Sequence, residues 1–170
     1  MKKIIVCLLS LLGLDGCAGG HSTVDNSTVK QLDLEKFMGR WYEIARYDHR
    51  FERGMSHVTA TYSLLGDGRI KVVNEGVRNG KRKTARGKGK LPDALQPGKL
   101  KVSFFLWFYA DYYVLDIAPD YSYVLVGSSS DKYLWIMSRT KTLPQPLLHS
   151  LLDNLRLRGY DTSKLIFVEQ

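Results

Sequence analysis

Short runs of alternating apolar and polar residues fill the chain from Gly39 to Arg139, with glycine or polar turns between them. The first run, Gly39-Arg40-Trp41-Tyr42-Glu43-Ile44-Ala45-Arg46-Tyr47, reads as a half-buried strand entered through a glycine, with Trp41 as its largest apolar group. Leu32 to Met38 just before it suits one helical turn capped by Asp33, which would close one end of a barrel. Residues 56–65 alternate cleanly, with Val58, Ala60, Tyr62 and Leu64 on one side and His57, Thr59, Thr61 and Ser63 on the other. Gly66-Asp67-Gly68 and Arg78-Asn79-Gly80-Lys81 carry hairpin chemistry on either side of a third strand over 70–77. A basic fourth strand over 82–90 follows, then a fifth over 99–104, a sixth over 112–117, a seventh over 121–127 and an eighth over 133–139. Pro144 opens a helix in which Leu147, Leu148, Leu151, Leu152 and Leu155 share a face, and residues 165–168 read as a short final strand. The predicted fold is all-β: an eight-stranded up-and-down antiparallel β-barrel, with the C-terminal α-helix packed on its outside by one apolar stripe. Closure removes the sheet edges, and eight strands leave room for one small ligand.

The N-terminus changes this picture, because it does not belong to the fold. Lys2 and Lys3 precede a short apolar run over 4–14, too short for the roughly 20 residues that cross a bilayer. The run therefore reads as a signal peptide over 1–16 in place of a membrane span or a buried helix. Its end, Leu14-Asp15-Gly16-Cys17, resembles the lipobox of bacterial lipoproteins, in which the cysteine becomes the acylated first residue. Asp15 departs from the small uncharged residue usual there, and ordinary cleavage to a soluble periplasmic protein is the competing outcome. Ala18 after the cysteine, where aspartate would favour inner-membrane retention, points to the outer membrane, with the periplasmic face as the expected side. Residues 17–30 are expected to form a flexible tether from lipidated Cys17, and 31–170 the barrel domain.

Composition narrows the chemistry. The full chain carries a net charge of +8; removing residues 1–16 takes away Lys2, Lys3 and Asp15 and leaves +7, a balance that favours anionic surfaces. Cys7 and Cys17 are the only cysteines, so the barrel has no thiol for catalysis, disulfides or metal binding. His21, His49, His57 and His149 have no metal-ligand spacing, and neither a Gly-x-Ser-x-Gly elbow nor a phosphate-binding glycine loop occurs. No enzyme activity and no cofactor are expected. A basic single-strand nucleic-acid barrel has the right charge and aromatics, but the export signal, the strand count and aromatics gathered at one tip speak against it.

Hairpin alternation sets the loops 48–55, 78–81, 104–111 and 128–131 at one end, opposite the lead helix. Phe104-Phe105-Leu106-Trp107-Phe108-Tyr109 then forms a lip at the open rim, touching ligand, membrane or a second subunit. The bland alternative is the end of a buried strand. Arg50, Arg53, Arg78, Lys81 and Arg82 supply rim cations, for an anionic headgroup or simply for water. Ala60, Tyr62, Val72, Val102, Phe104, Tyr113, Leu115 and Trp135 are the expected ligand-lining residues, with strand parity left open because a wall under a helix is apolar on both faces.

Gly39-x-Trp41, Pro119-Asp120-Tyr121 before the seventh strand and Arg139 after the eighth together resemble the lipocalin family over about 30–168. The resemblance implies a calyx open at one end that binds a small hydrophobic molecule. For bacterial members it implies fatty acids or lysophospholipids, a role in envelope lipid storage or transport, and pairing into homodimers. It casts Gly39, Trp41, Asp120, Tyr121 and Arg139 as structural signature residues, with Arg139 stacked on Trp41 at the closed end. Pro119 stands where the family has threonine, which removes one hydroxyl. A structural envelope lipoprotein, its barrel filled by its own side chains, is the alternative.

Overall fold

The computed structural model describes residues 23–170; the signal segment and Cys17 lie outside the described residues. A single turn of helix, α1 (Leu34–Phe37), leads into β1 (Gly39–Tyr47). Strands β2 (Ser56–Leu64), β3 (Ile70–Arg78), β4 (Lys81–Lys90), β5 (Lys99–Phe105), β6 (Phe108–Ile117), β7 (Tyr123–Gly127) and β8 (Leu134–Ser138) continue it. Each pairs antiparallel with the next, and β1 pairs with both β2 and β8, so the eight close into a barrel. Helix α2 (Gln145–Leu157) and β9 (Leu165–Phe167) complete the chain, β9 adding to the upper half of β1.

Two apolar cores share the barrel wall. One lies inside its closed half, around Phe37, Trp41, Tyr62, Leu100, Val114 and Val124. The other lies outside, where Leu151 and Leu155 of α2 cover Ile44, Leu115, Leu125 and Ile136. The helix stripe thus buries against the wall, as its spacing requires.

Residues 24–29 are pinned, which corrects the expectation of a tether reaching to residue 30. Val24 is buried in the outer core, the Asp25 N–H donates to the Arg158 carbonyl at 2.8 Å, and the Val29 N–H to that of Val114 at 3.0 Å. The described chain starts at the open rim, where the Thr23 hydroxyl donates to Asp131 at 3.2 Å.

The seam between β1 and β2 is only partly a ladder. Direct pairing runs from Gly39↔Tyr62 to Tyr42↔Thr59 and stops. Above it the C-terminal residues fill in. Val168 N–H donates to the Ile44 carbonyl at 2.9 Å, and Gln170 Nε2 donates to the carbonyls of Glu43 (2.6 Å) and Val58 (2.9 Å).

Candidate functional site

The closed end is built around Arg139. Its guanidinium carbon sits 3.7 Å from the centre of the Trp41 ring, which is fully buried. The same group donates to the carbonyls of Lys36 (2.7 Å) and Met38 (2.9 Å), capping the end of α1, and to that of Arg40 (2.9 Å) at the start of β1. Trp41 Nε1 donates to the Phe37 carbonyl at 2.9 Å. Gly39 has φ +93°, and a Cβ there would lie 3.3 Å from Arg139 Nη1, so the glycine serves both the turn and the close approach. Tyr121, at φ +60°, accepts the Asp33 N–H on its hydroxyl at 2.8 Å, and Asp120 accepts the Ser122 N–H at 3.0 Å. Every one of these contacts closes the floor; none faces the lumen.

Above this floor the barrel is hollow. A cavity of about 660 Å³ opens between the rim loops. Ala60, Tyr62, Val72, Val102, Phe104 and Trp135 line it, as do Phe105 and Phe108 of the lip. Gly87 leaves space for Phe104, whose ring would lie 2.8 Å from a Cβ at that position. Tyr113 and Leu115 do not line it. Both face outward and pack in the core beneath α2, while Tyr112 points inward and shares a 2.9 Å hydroxyl contact with Tyr62. The reason is a bulge in the β5–β6 ladder. Phe105 pairs with Phe108, but Val102 pairs with Ala110, one residue short of an unbroken register. An unbroken ladder would have set Tyr113 on the face of Val102; the extra residue reverses the parity of β6.

The lip is a hairpin tip of two residues, Leu106 and Trp107, because β6 starts at Phe108 and not at 112. Phe105 and Phe108 stack at 6.3 Å and face the mouth. Leu106, Trp107 and Tyr109 do not line the cavity. Tyr109 turns to the outer wall, under Lys90 at 4.5 Å and Lys88 at 5.7 Å. Arg50 is exposed and Arg53 is engaged by Asp48 at 2.7 Å; neither lines the mouth. The cations that do are Arg78 and Lys83. Arg78 Nη2 donates to the Phe51 carbonyl at 2.8 Å; its Nε, and Asn74 Oδ1 deeper along β3, are buried without a partner.

A second polar group on the lumen wall was not among the expected site residues. Glu43 and Glu52 both line the cavity. A bulge between Glu43 and Ala45 brings Arg46 to the side of Glu43, whose Oε1 accepts from Arg46 Nη1 at 2.5 Å. Glu52 accepts from the Trp135 indole at 3.2 Å and lies 3.0 Å from His49 Nε2. Burial, together with the neighbouring Glu52 charge, pushes the Glu43 carboxyl up to about 8. Burial pushes Glu52 the same way, but His49, the Trp135 indole and Arg46 outweigh it and hold Glu52 below its ordinary value. Glu43 and Arg46 in so apolar a strand were the available signal, yet without the bulge they would lie on opposite faces.

The closed eight-stranded barrel has counterparts among known proteins. A model of the lipocalin-like domain matches residues 32–170. The chain belongs to the lipocalin family. Among its relatives, the outer membrane lipoprotein Blc of Vibrio cholerae is 41% identical over 173 residues, covering 100% of this chain and 99% of that protein. Blc of Escherichia coli K12 is 42% identical over 146 residues, 85% of this chain and 82% of that one. Insecticyanin of the tobacco hornworm Manduca sexta superposes with a TM-score of 0.67 at 27% identity, covering 85% and 84% of the two chains. Lobster apocrustacyanin A1 shares the fold at a TM-score of 0.70 and 20% identity, with 89% of each chain covered. This lipocalin is a binding protein and not an enzyme.

Proposed function

We propose that this lipocalin binds and carries a single-chain lipid in the bacterial envelope, with the acyl chain in the calyx and an anionic headgroup at its mouth. The observation that carries the reading is the open lumen of about 660 Å³, apolar in its depth and bordered by Arg78, Lys83 and the unpartnered Asn74 oxygen. That volume falls within the range of small-molecule sites, and a few convergent polar groups around an apolar pocket are what fixes a ligand's orientation. A barrel filled by its own side chains, the competing reading, has no such space. The likeness to outer-membrane lipoproteins supports attachment at the outer membrane through an acylated Cys17, facing the periplasm.

The test is titration of delipidated protein with a fatty acid, a lysophospholipid and a neutral monoacylglycerol, followed by Trp135 fluorescence. Saturable binding of all three is expected. Arg78→Ala with Lys83→Ala should weaken the two phosphate- or carboxylate-bearing ligands by about tenfold and spare the neutral one. Absence of saturable binding would end the proposal, and equal loss for all three would remove the headgroup assignment. Intact-mass measurement of the membrane-extracted protein reads acylation at Cys17 separately.

A further inference from the structure

We propose that the open rim is a membrane-docking surface: the Leu106–Trp107 tip enters a bilayer bearing anionic phospholipids, and the basic outer face of β4 holds the rim against its headgroups. Three independent observations converge. First, the tip is apolar and in water, with Trp107 71% and Leu106 52% exposed, next to Phe105 and Phe108. Leu106 also has φ +50°, a conformation that glycine takes far more readily. An apolar side chain kept at a strained position points to function at that spot.

Second, the flank is cationic. Ala85 lines the lumen, so Arg82, Arg86 and Lys88 alternate to the outside of β4, all exposed. Of the acids around the rim, Asp48 is paired with Arg53 and Asp111 with Lys101 at 2.7 Å. Glu75 on β3, across from Thr84, is the one carboxylate beside this flank among the described residues, so its cations outnumber it three to one. A second copy placed tip to tip would set this flank against itself, whereas an anionic bilayer attracts it.

Third, the chain enters from the same end. Thr23 lies at the β7–β8 loop on the open rim. The six residues back to Cys17 reach at most about 20 Å fully extended. An acyl anchor there, on the reading given above, would hold the rim and not the closed end toward the bilayer. The lipid would then enter the calyx from the membrane without crossing water. The tip and the flank argue for docking without the anchor.

The experiment places the full chain in vesicles containing phosphatidylglycerol and phospholipids with brominated acyl chains, which quench tryptophan in the hydrocarbon. Trp107 should be quenched, and Trp107→Tyr should remove that part of the signal. Quenching that survives Trp107→Tyr comes from Trp135 and reports lipid inside the calyx, so failure of docking and failure of binding are read apart. Leu106→Gly should reduce the docked fraction with solution lipid titration unchanged, because Leu106 does not line the cavity. Arg86→Gln and Lys88→Gln should each lower the docked-to-undocked ratio about fivefold, and added salt should do the same. Cys17→Ser should lower the amount bound while the bound molecules keep the same Trp107 depth. An unquenched Trp107 on vesicle-bound protein would overturn the proposal. So would quenching indifferent to anionic lipid and salt, or a dimer in sedimentation that buries Trp107 and dissociates in Leu106→Gly.

Discussion

Glu43 and Glu52 share one wall of the calyx yet hold their protons differently, and the difference is a statement about stability. Between its ordinary value of 4.5 and about 8, Glu43 keeps in the folded protein a proton that the unfolded chain has released. Its contribution is therefore full below that window and falls as pH rises through it. Glu52 works the other way: its contribution is present above the ordinary glutamate value and is lost as pH falls through the lowered one. Glu43→Gln should flatten the decline in stability approaching pH 8 and leave the acid limb unchanged, as urea denaturation across both windows would record. At the floor, Arg139→Lys keeps the charge but loses the flat stack on Trp41 and the fork that reaches three carbonyls. A loss of about 2–3 kcal/mol is expected in the same assay. An unchanged midpoint would mean the α1 carbonyls are satisfied by water.

Two of the irregularities in the strands decide most of what the elements do. The β5–β6 bulge turns Tyr112 to the lumen and Tyr113 to α2, and it lies beside the lip hairpin. The second is the β1–β2 seam, where the ladder gives way to the C-terminal residues. Removing Val168–Gln170 would free the Ile44, Glu43 and Val58 carbonyls and the His57 N–H, which now donates to Glu169 at 2.6 Å. A cost of about 3–4 kcal/mol is expected, with hydrogen exchange accelerated at His57 before the rest of β2. Uniform acceleration along the barrel would show that the tail is part of the global core and not a local stitch.

For the whole molecule, the two cores separate stability from binding. The floor and the α2 interface hold the barrel shut, so the upper lumen can stay empty at little cost to the fold. Ala85→Trp, which projects an indole into the lumen opposite Asn74, tests that separation. It should abolish uptake of long-chain lipid and move the melting temperature little, since the new side chain occupies space that is already open. A large drop in melting temperature would place Ala85 in the core. The net charge of +7 of the chain without residues 1–16 gives the complementary expectation that association with anionic vesicles weakens as salt rises.

Strand count, most turn positions and the one-stripe helix were legible in the sequence, because each rests on local chemistry: period-two alternation, glycine turns, a leucine stripe. The rim aromatics were legible for the same reason, since six bulky residues in one short stretch mark themselves. The Gly39–Trp41–Arg139 floor was expected only through the resemblance to the lipocalin family. The inward face of β6, the burial of Glu43 with Arg46, the pinning of residues 24–29 and the place of Lys83 in the mouth were decided only by the tertiary structure. A bulge of one residue leaves no mark in composition, yet it reverses which side chains meet the ligand. A strand wall with apolar packing on both sides gives its residues no local cue as to which side is hollow.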